Sequence, residues 1–315
     1  MAIDLKKITR GRLQRPHRSL LFGPDGVGKT SYAAGAPKAL FIDANRGSGS
    51  FDVHARVDLY GASSDAWDEM IEWLTAVEEG KIDCQTVVID SATEIESMAH
   101  AKLFGTNNTT ITDFGGGYGK GEEVALAAYI QLLYKLERLW DRGKNVIILA
   151  HAKVKTFKSP DGPNYDRWQI ACREGLSSRL RSWSDYVFFA QIQTTMKDGK
   201  AIAGNRVMWT RRTPAYDAKA RGTSLFPEIL PLSYEAFVSA VEMDGVRAEQ
   251  MREEIKSMLV EIGDAGLTKQ VSEYLKKWPA QVSEAHNRVQ IRLAEKRSAD
   301  TPAETTRTEG GGAAA

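Results

Sequence analysis

Eight consecutive residues, Gly23, Pro24, Asp25, Gly26, Val27, Gly28, Lys29 and Thr30, hold the densest chemistry in the sequence. Closely spaced glycines let a backbone wrap around phosphates and aim its N–H groups at them. A lysine and then a hydroxyl at the end of the run suit the outer phosphates and a divalent cation respectively. Ser31 continues into a helix-compatible stretch, and a helix N-terminus adds positive potential for the same anion. A metal held this way also needs an acid, and Asp90 closes the run TVVID, where a metal-holding carboxylate at a strand tip is expected. Two more apolar runs end in polar side chains. LFIDANRG (40–47) stops at Asp43, Asn45 and Arg46, and NVIILAH (145–151) stops at His151.

These side chains need elements to aim them. SLLFG (19–23), ALFID (39–43), TVVID (86–90) and NVIILAH are short apolar runs without alternation, as strands buried on both faces should be. Helical spacing separates them, in DAWDEMIEWLTAVEE (65–79) and in EEVALAAYIQLLYKLERLW (122–140). Alternating strands and helices predict a parallel sheet covered on both faces, an α/β fold. After residue 184, DYVFFAQIQ and RVMWTRR flank MKDGKAIAGN and predict an added hairpin. From about 233 the pattern turns wholly helical, in four segments beginning at SYEAFVSAVEM and AEQMREEIKSMLVEIG. Residues 299–315 contain no large apolar residue and are expected to be disordered.

Glycine-rich loop, lysine and strand-tip acid together indicate a P-loop NTPase, with ATP and Mg²⁺ as the cofactors such a site takes. The order of the remaining pieces resembles the RecA-type core. More closely, it resembles the compact RecA-like phage ATPases that act as single-strand annealing recombinases. GPDGVGKT, AGAPKALFIDA, VVIDS, a Gly-rich loop before a long helix, NVIILAH, AYDAKARG and LFPEILPL carry the resemblance, which covers roughly residues 15–243. It implies a RecA-like core with a mainly parallel sheet and a basic β-hairpin, over residues 19–243. A basic segment (1–18) would precede that core, and a small helical region (244–298) and the tail would follow it.

The resemblance carries over residue by residue. Where RecA-type enzymes place a water-activating glutamate, this chain has Asn45, which can hold a water but cannot take its proton. Asp43, Asp25 and Glu94 are the other acids that could take that role. His151 matches the strand-end residue that senses the γ-phosphate; a strand-end histidine satisfied by its neighbours is the plainer reading. Arg211 and Arg212 match the basic pair that a filament inserts into the neighbouring subunit's nucleotide. Charged residues closing an edge strand would look the same.

The 315-residue chain is 42% hydrophobic with a formal charge of +1, so no global field recruits a polyanion. Residues 151–222, however, hold fourteen Lys/Arg against six acids. Two loops fall where RecA-type proteins contact single-stranded DNA. The first, 104–121, carries Tyr118 and Lys120; the second, 152–169, carries Lys153, Lys155, Phe157, Lys158 and Arg167. Cations interleaved with aromatics suit a strand whose phosphates pair while its bases stack. Trp168 could equally open the next helix.

Two cysteines and no metal-ligand spacing exclude a disulfide framework and a zinc site, and suit a reducing compartment. No apolar run reaches membrane-spanning length, so a cytoplasmic protein is expected, in the host cell if phage-encoded. The expectation is a DNA-stimulated ATPase that assembles as a homo-oligomer or filament on single-stranded DNA, with a single-strand-binding protein as a further partner. A nucleotide-gated DNA-binding protein with little turnover and a helicase or helicase-loader type ATPase are the alternatives.

Overall fold

A computed structural model of the chain describes residues 15–59, 63–105, 109–160, 162–197, 200–222, 225–278 and 281–300. The basic segment before residue 15 and the tail from 301 lie outside these, as do three residues of the first predicted DNA loop (106–108). The strands are β1 Arg18–Gly23, β2 Ala39–Asp43, β3 Ala55–Asp58, β4 Thr86–Asp90, β5 Asn145–Phe157, β6 Tyr165–Ile170, β7 Tyr186–Lys197, β8 Lys200–Trp209, β9 Lys219–Ala220 and β10 Ile229–Pro231. The helices are α1 Lys29–Ala34, α2 Ser64–Glu78, α3 Ala92–Phe104, α4 Lys120–Asp141, α5 Glu174–Trp183, α6 Tyr234–Ile262, α7 Ala265–Lys277 and α8 Val282–Asp300. No helix among the described residues is long and apolar enough to cross a membrane.

The chain divides into two compact units, residues 1–221 with 227–239, and residues 222–226 with 240–315. In the first, strands in the order β7-β1-β5-β4-β2-β3 are all parallel. The antiparallel β8 and β10 extend the β7 edge. The fold is thus mixed α/β with a mostly parallel central sheet, as the unalternating apolar runs predict. Leu20, Phe22, Ile42, Val87, Ile89 and Ile148 point to one face, under the apolar sides of α2, α3, α4 and α5. Alternate residues point to the other face, where Phe188 meets Phe237 of α6 with ring centroids 5.3 Å apart.

Arg18 ties this unit together. Its guanidinium bonds Asp185 and Glu137, and lies 4.4 Å from the centre of the Trp140 ring. The last cation of the basic segment is therefore committed to joining β1, α4 and the start of β7.

Four local expectations are corrected. Residues 152–169 are largely a hairpin rather than a loop, because Lys-Val-Lys-Thr-Phe and Tyr-Asp-Arg-Trp-Gln-Ile alternate with period two and pair as β5 and β6. Trp168 accordingly sits on β6, against Phe189 at 5.8 Å, and opens no helix. The hairpin after residue 184 has longer strands than expected, so most of MKDGKAIAGN is strand, with Asp198 and Gly199 outside the described residues. Finally, SYEAFVSAVEM and AEQMREEIKSMLVEIG form one helix, α6, that runs through Gly245. A helical glycine costs about 1 kcal/mol, less than the burial of Ala248, Ile255 and Leu259 returns in the second unit. There they pack with Val282, Ala285 and Val289 of α8, while Asp264 caps α7 by accepting from Leu267 N.

Candidate functional site

The carboxyl ends of four parallel strands set out a row of side chains. Gly23, ending β1, is in register with His151 on β5; Asp90, ending β4, is in register with Asp43, ending β2. Because β5 lies between β1 and β4, His151 stands between the glycine-rich loop and Asp90. Crevices at the carboxyl ends of strands are where open α/β sheets bind ligands.

The glycines of the loop have different jobs. A Cβ on Gly23 would stand 2.5 Å from the carbonyl oxygen of Ala190, so this position permits the close approach of β1 and β7. Gly28 has φ +111, a left-handed conformation that strains any side chain, and it leads directly into α1. The Lys29 ammonium is buried and donates to the carbonyls of Gly23 and Pro24, each at 3.0 Å. Burial pulls its pKa down, while Asp25 and Asp90 oppose that fall.

Thr30 Oγ1 donates to Asp90 Oδ2 at 2.9 Å. Asp90 is 6% exposed, and burial raises its pKa despite the Thr30 bond, with Asp43 adding to the rise. A hydroxyl and a buried carboxylate converging in this way fit a hard cation such as Mg²⁺, which would restore the charge that burial disfavours. The loop beside them, with an open side at Gly26, fits the phosphates of a nucleotide.

Asp43 is fully buried and accepts from three backbone amides, those of Asn45, Gly47 and Ser48. Its carboxylate shapes the turn after β2 and is occupied there rather than poised to act as a base. That turn packs against the loop, since a Cβ on Gly47 would lie 3.9 Å from Thr30 Oγ1. Asn45 is exposed at its tip. Asp25 is bound to His151, Nδ1 to Oδ1 at 2.5 Å, and Glu94 lies in the first turn of α3. Ser31 follows Thr30 on α1. Val27 is buried beneath the loop.

The two arginines expected to act as a pair are parted. Arg211 Nη1 bonds Glu228 at 2.7 Å, whereas Arg212 Nε turns to Asp217 Oδ1 at 3.4 Å. Another arginine was missed. Arg206 on β8 brings Nη1 to 3.3 Å from where a Cβ on Gly28 would be, beside Leu232. Nothing in its local sequence distinguishes it; only the pairing of β7 with β8 brings it to the loop.

The remaining predicted residues sit on the hairpin and ahead of α4. Lys153, Lys155 and Phe157 on β5 share one face with Tyr165, Arg167 and Gln169 on β6. Lys155 and Lys158 are exposed, while Lys153 Nζ donates to the Cys172 carbonyl at 2.9 Å and Arg167 is only 3% exposed. Tyr118 is fully exposed with φ +54, in a run where Gly115, Gly116, Gly117 and Gly119 also have positive φ. Lys120 Nζ donates to the Gly115 carbonyl at 3.0 Å and opens α4.

Comparison with known families finds one match: the model described as AAA domain aligns with residues 15–222. That is about two-thirds of the chain, from just before β1 to just after β9. No curated protein matches the chain.

Proposed function

The chain belongs to the AAA domain family and carries an AAA-type P-loop ATPase domain; from that premise, we propose that it is an ATP-dependent protein that binds single-stranded DNA and promotes annealing or strand exchange in homologous recombination. One observation carries this reading. Strand β5 is a single element of thirteen residues whose middle lies beside the phosphate loop and whose far end forms the basic hairpin. His151, bonded to the loop residue Asp25, and Lys155, exposed on the hairpin, are four residues apart on one strand. A change in how His151 is held therefore has a short, rigid path to the cations.

In this reading the backbone amides of residues 23–31 cradle the phosphates, and Lys29 exchanges its carbonyl partners for phosphate oxygens. Thr30 and Asp90 hold Mg²⁺, which when bound neutralises charge developing on the transferred phosphoryl group. Asn45 positions a water. Tyr118, Lys120, Lys153, Lys155, Phe157, Lys158 and Arg167 contact the DNA, its bases stacking on the aromatic rings. Copies of the chain assemble side by side on the strand, with Arg211 meeting a neighbour's nucleotide, and a single-strand-binding protein hands over the substrate.

A second reading, a nucleotide-gated binder with little turnover, is favoured by one feature. The turn after β2 offers Asn45 where a base is needed, and the nearest acid, Asp43, is occupied by three amides. Steady-state ATP hydrolysis measured across a titration of single-stranded oligonucleotide separates the two. Stimulation by DNA supports the first, and DNA binding without turnover supports the second. No ATP-dependent effect and no DNA binding would sink both.

A further inference from the structure

Three arginines from separate elements converge on one carboxylate. Arg167 of β6 bonds Asp217, Arg212 Nε lies 3.4 Å from Asp217 Oδ1, and Arg181 Nε of α5 lies 3.8 Å from Oδ2. They line a cavity of about 650 Å³, with Lys155 and Lys158 on its hairpin side. One further acid, Glu174, lines it and is bonded to Arg181. Five cations therefore face two carboxylates.

Such an arrangement is unfavourable without another anion. One carboxylate balances one guanidinium, and like charges this close repel more strongly in a cavity than in open water. Arg167 is the most committed of the three. It is 3% exposed, its Nε is buried without a hydrogen-bond partner, and its guanidinium lies 5.8 Å from the centre of the Phe157 ring. Arg212 is held to Asp217 only at 3.4 Å, and Arg181 gives Nη2 to Glu174 at 2.6 Å with its Nε 3.8 Å from Asp217, which leaves the rest of the Arg212 fork and Arg181 Nη1 for a ligand. Planar forks with parallel N–H groups suit a tetrahedral anion.

We propose that this cavity is a phosphate site, separate from the glycine-rich loop, that takes one backbone phosphate of single-stranded DNA, with Asp217 as the internal anion that holds the arginines until DNA arrives. The proposal rests on the DNA reading of the hairpin and deepens it, adding Arg181 and Arg212 to the contacts and Asp217 as the group that holds them. Asp217 then tunes affinity. It pre-orders the arginines, yet it competes with the incoming phosphate for their charge.

The test is the salt dependence of binding to a labelled single-stranded oligonucleotide, followed by anisotropy, for the parent, Arg181→Ala, Asp217→Asn and the double variant Lys155→Ala/Lys158→Ala. Losing one phosphate contact should reduce the slope of log K against log[salt] by roughly 0.7. Arg181→Ala is expected to weaken binding about 3- to 10-fold with that loss of slope, at an unchanged melting temperature. Asp217→Asn is expected to tighten binding several-fold and steepen the slope; should that variant not fold, Arg181→Ala decides alone. If the double variant binds more weakly while Arg181→Ala keeps the parent's affinity and slope, the phosphate site is overturned and the hairpin reading survives. If the parent shows no salt-sensitive binding, the DNA reading itself falls, and this site with it. A melting temperature that rises with inorganic phosphate only when Arg181 is present, with unchanged DNA affinity, would overturn the backbone assignment.

Discussion

At the scale of single residues, the turn after β2 is where the proposed turnover can be tested. Asp43 is spent on the amides of Asn45, Gly47 and Ser48, so it shapes the turn and is not free to take a proton. Asn45 is exposed on the same turn, which packs against Thr30. Asn45→Glu would place a carboxylate there without disturbing the amides that bind Asp43. A positioned base is worth about 10²–10⁴ in rate, so kcat for ATP hydrolysis should rise at least about 10-fold, measured by phosphate release. No gain would mean that the base lies elsewhere. Arg206 makes a second prediction. Its guanidinium lies against Gly28 and is placed there by β8. Arg206→Ala should weaken nucleotide binding by roughly 10-fold, about the 1.4 kcal/mol of a hydrogen bond to a charged group. A fluorescent nucleotide titration reads this directly, and an unchanged Kd would remove Arg206 from the site.

At the scale of elements, the fold was legible wherever burial is complete. SLLFG, ALFID, TVVID and NVIILAH are apolar on both faces because helices cover both faces, and such runs announce themselves. The strand ARVD was not legible, for it is four residues long at the sheet edge and buries only Val57. The β5–β6 hairpin is not legible as two strands because its cations interleaved with aromatics suit a nucleic-acid loop equally well, whereas their alternation marks one face of a ribbon. The phosphate loop was legible because its parts are contiguous. The Asp217 cluster was not, since Arg167, Arg181, Arg212 and Asp217 come from four segments that only folding joins.

The contact between α2 and α4 supplies a prediction at this same scale. Glu78 takes Lys135, Arg138 and Arg142, and the Lys135 hydrogen bond foremost lowers its pKa to about 2. A carboxylate lowered in the folded state adds stability that is fully present above its ordinary value. That stability fades as pH falls from the ordinary carboxylate range towards 2. Glu78→Ala should cost about 1 kcal/mol at neutral pH, a drop of roughly 2–4 °C in Tm. The difference from the parent should shrink below pH 4, and calorimetry across pH would check it; a loss that does not depend on pH would point to packing instead.

At the scale of the whole molecule, a net charge of +1 leaves no general attraction for nucleic acid, so any DNA affinity has to come from a local surface. The hairpin cations are the candidate surface. Lys155→Ala with Lys158→Ala should weaken oligonucleotide binding by about 10-fold or more and flatten its salt dependence, while leaving nucleotide Kd unchanged. Binding equal to the parent's would move the DNA site away from the hairpin.

If β5 couples the nucleotide to the hairpin, as proposed, binding at one end must change affinity at the other. The most direct measurement is the affinity for a labelled single-stranded oligonucleotide at fixed salt, with and without a Mg²⁺-bound, non-hydrolysable ATP analogue, in the parent and in Lys29→Ala. Such coupling gives about 10-fold tighter binding with the analogue in the parent, and no change in Lys29→Ala. Salt-sensitive binding by the parent that is the same with and without the analogue would contradict it.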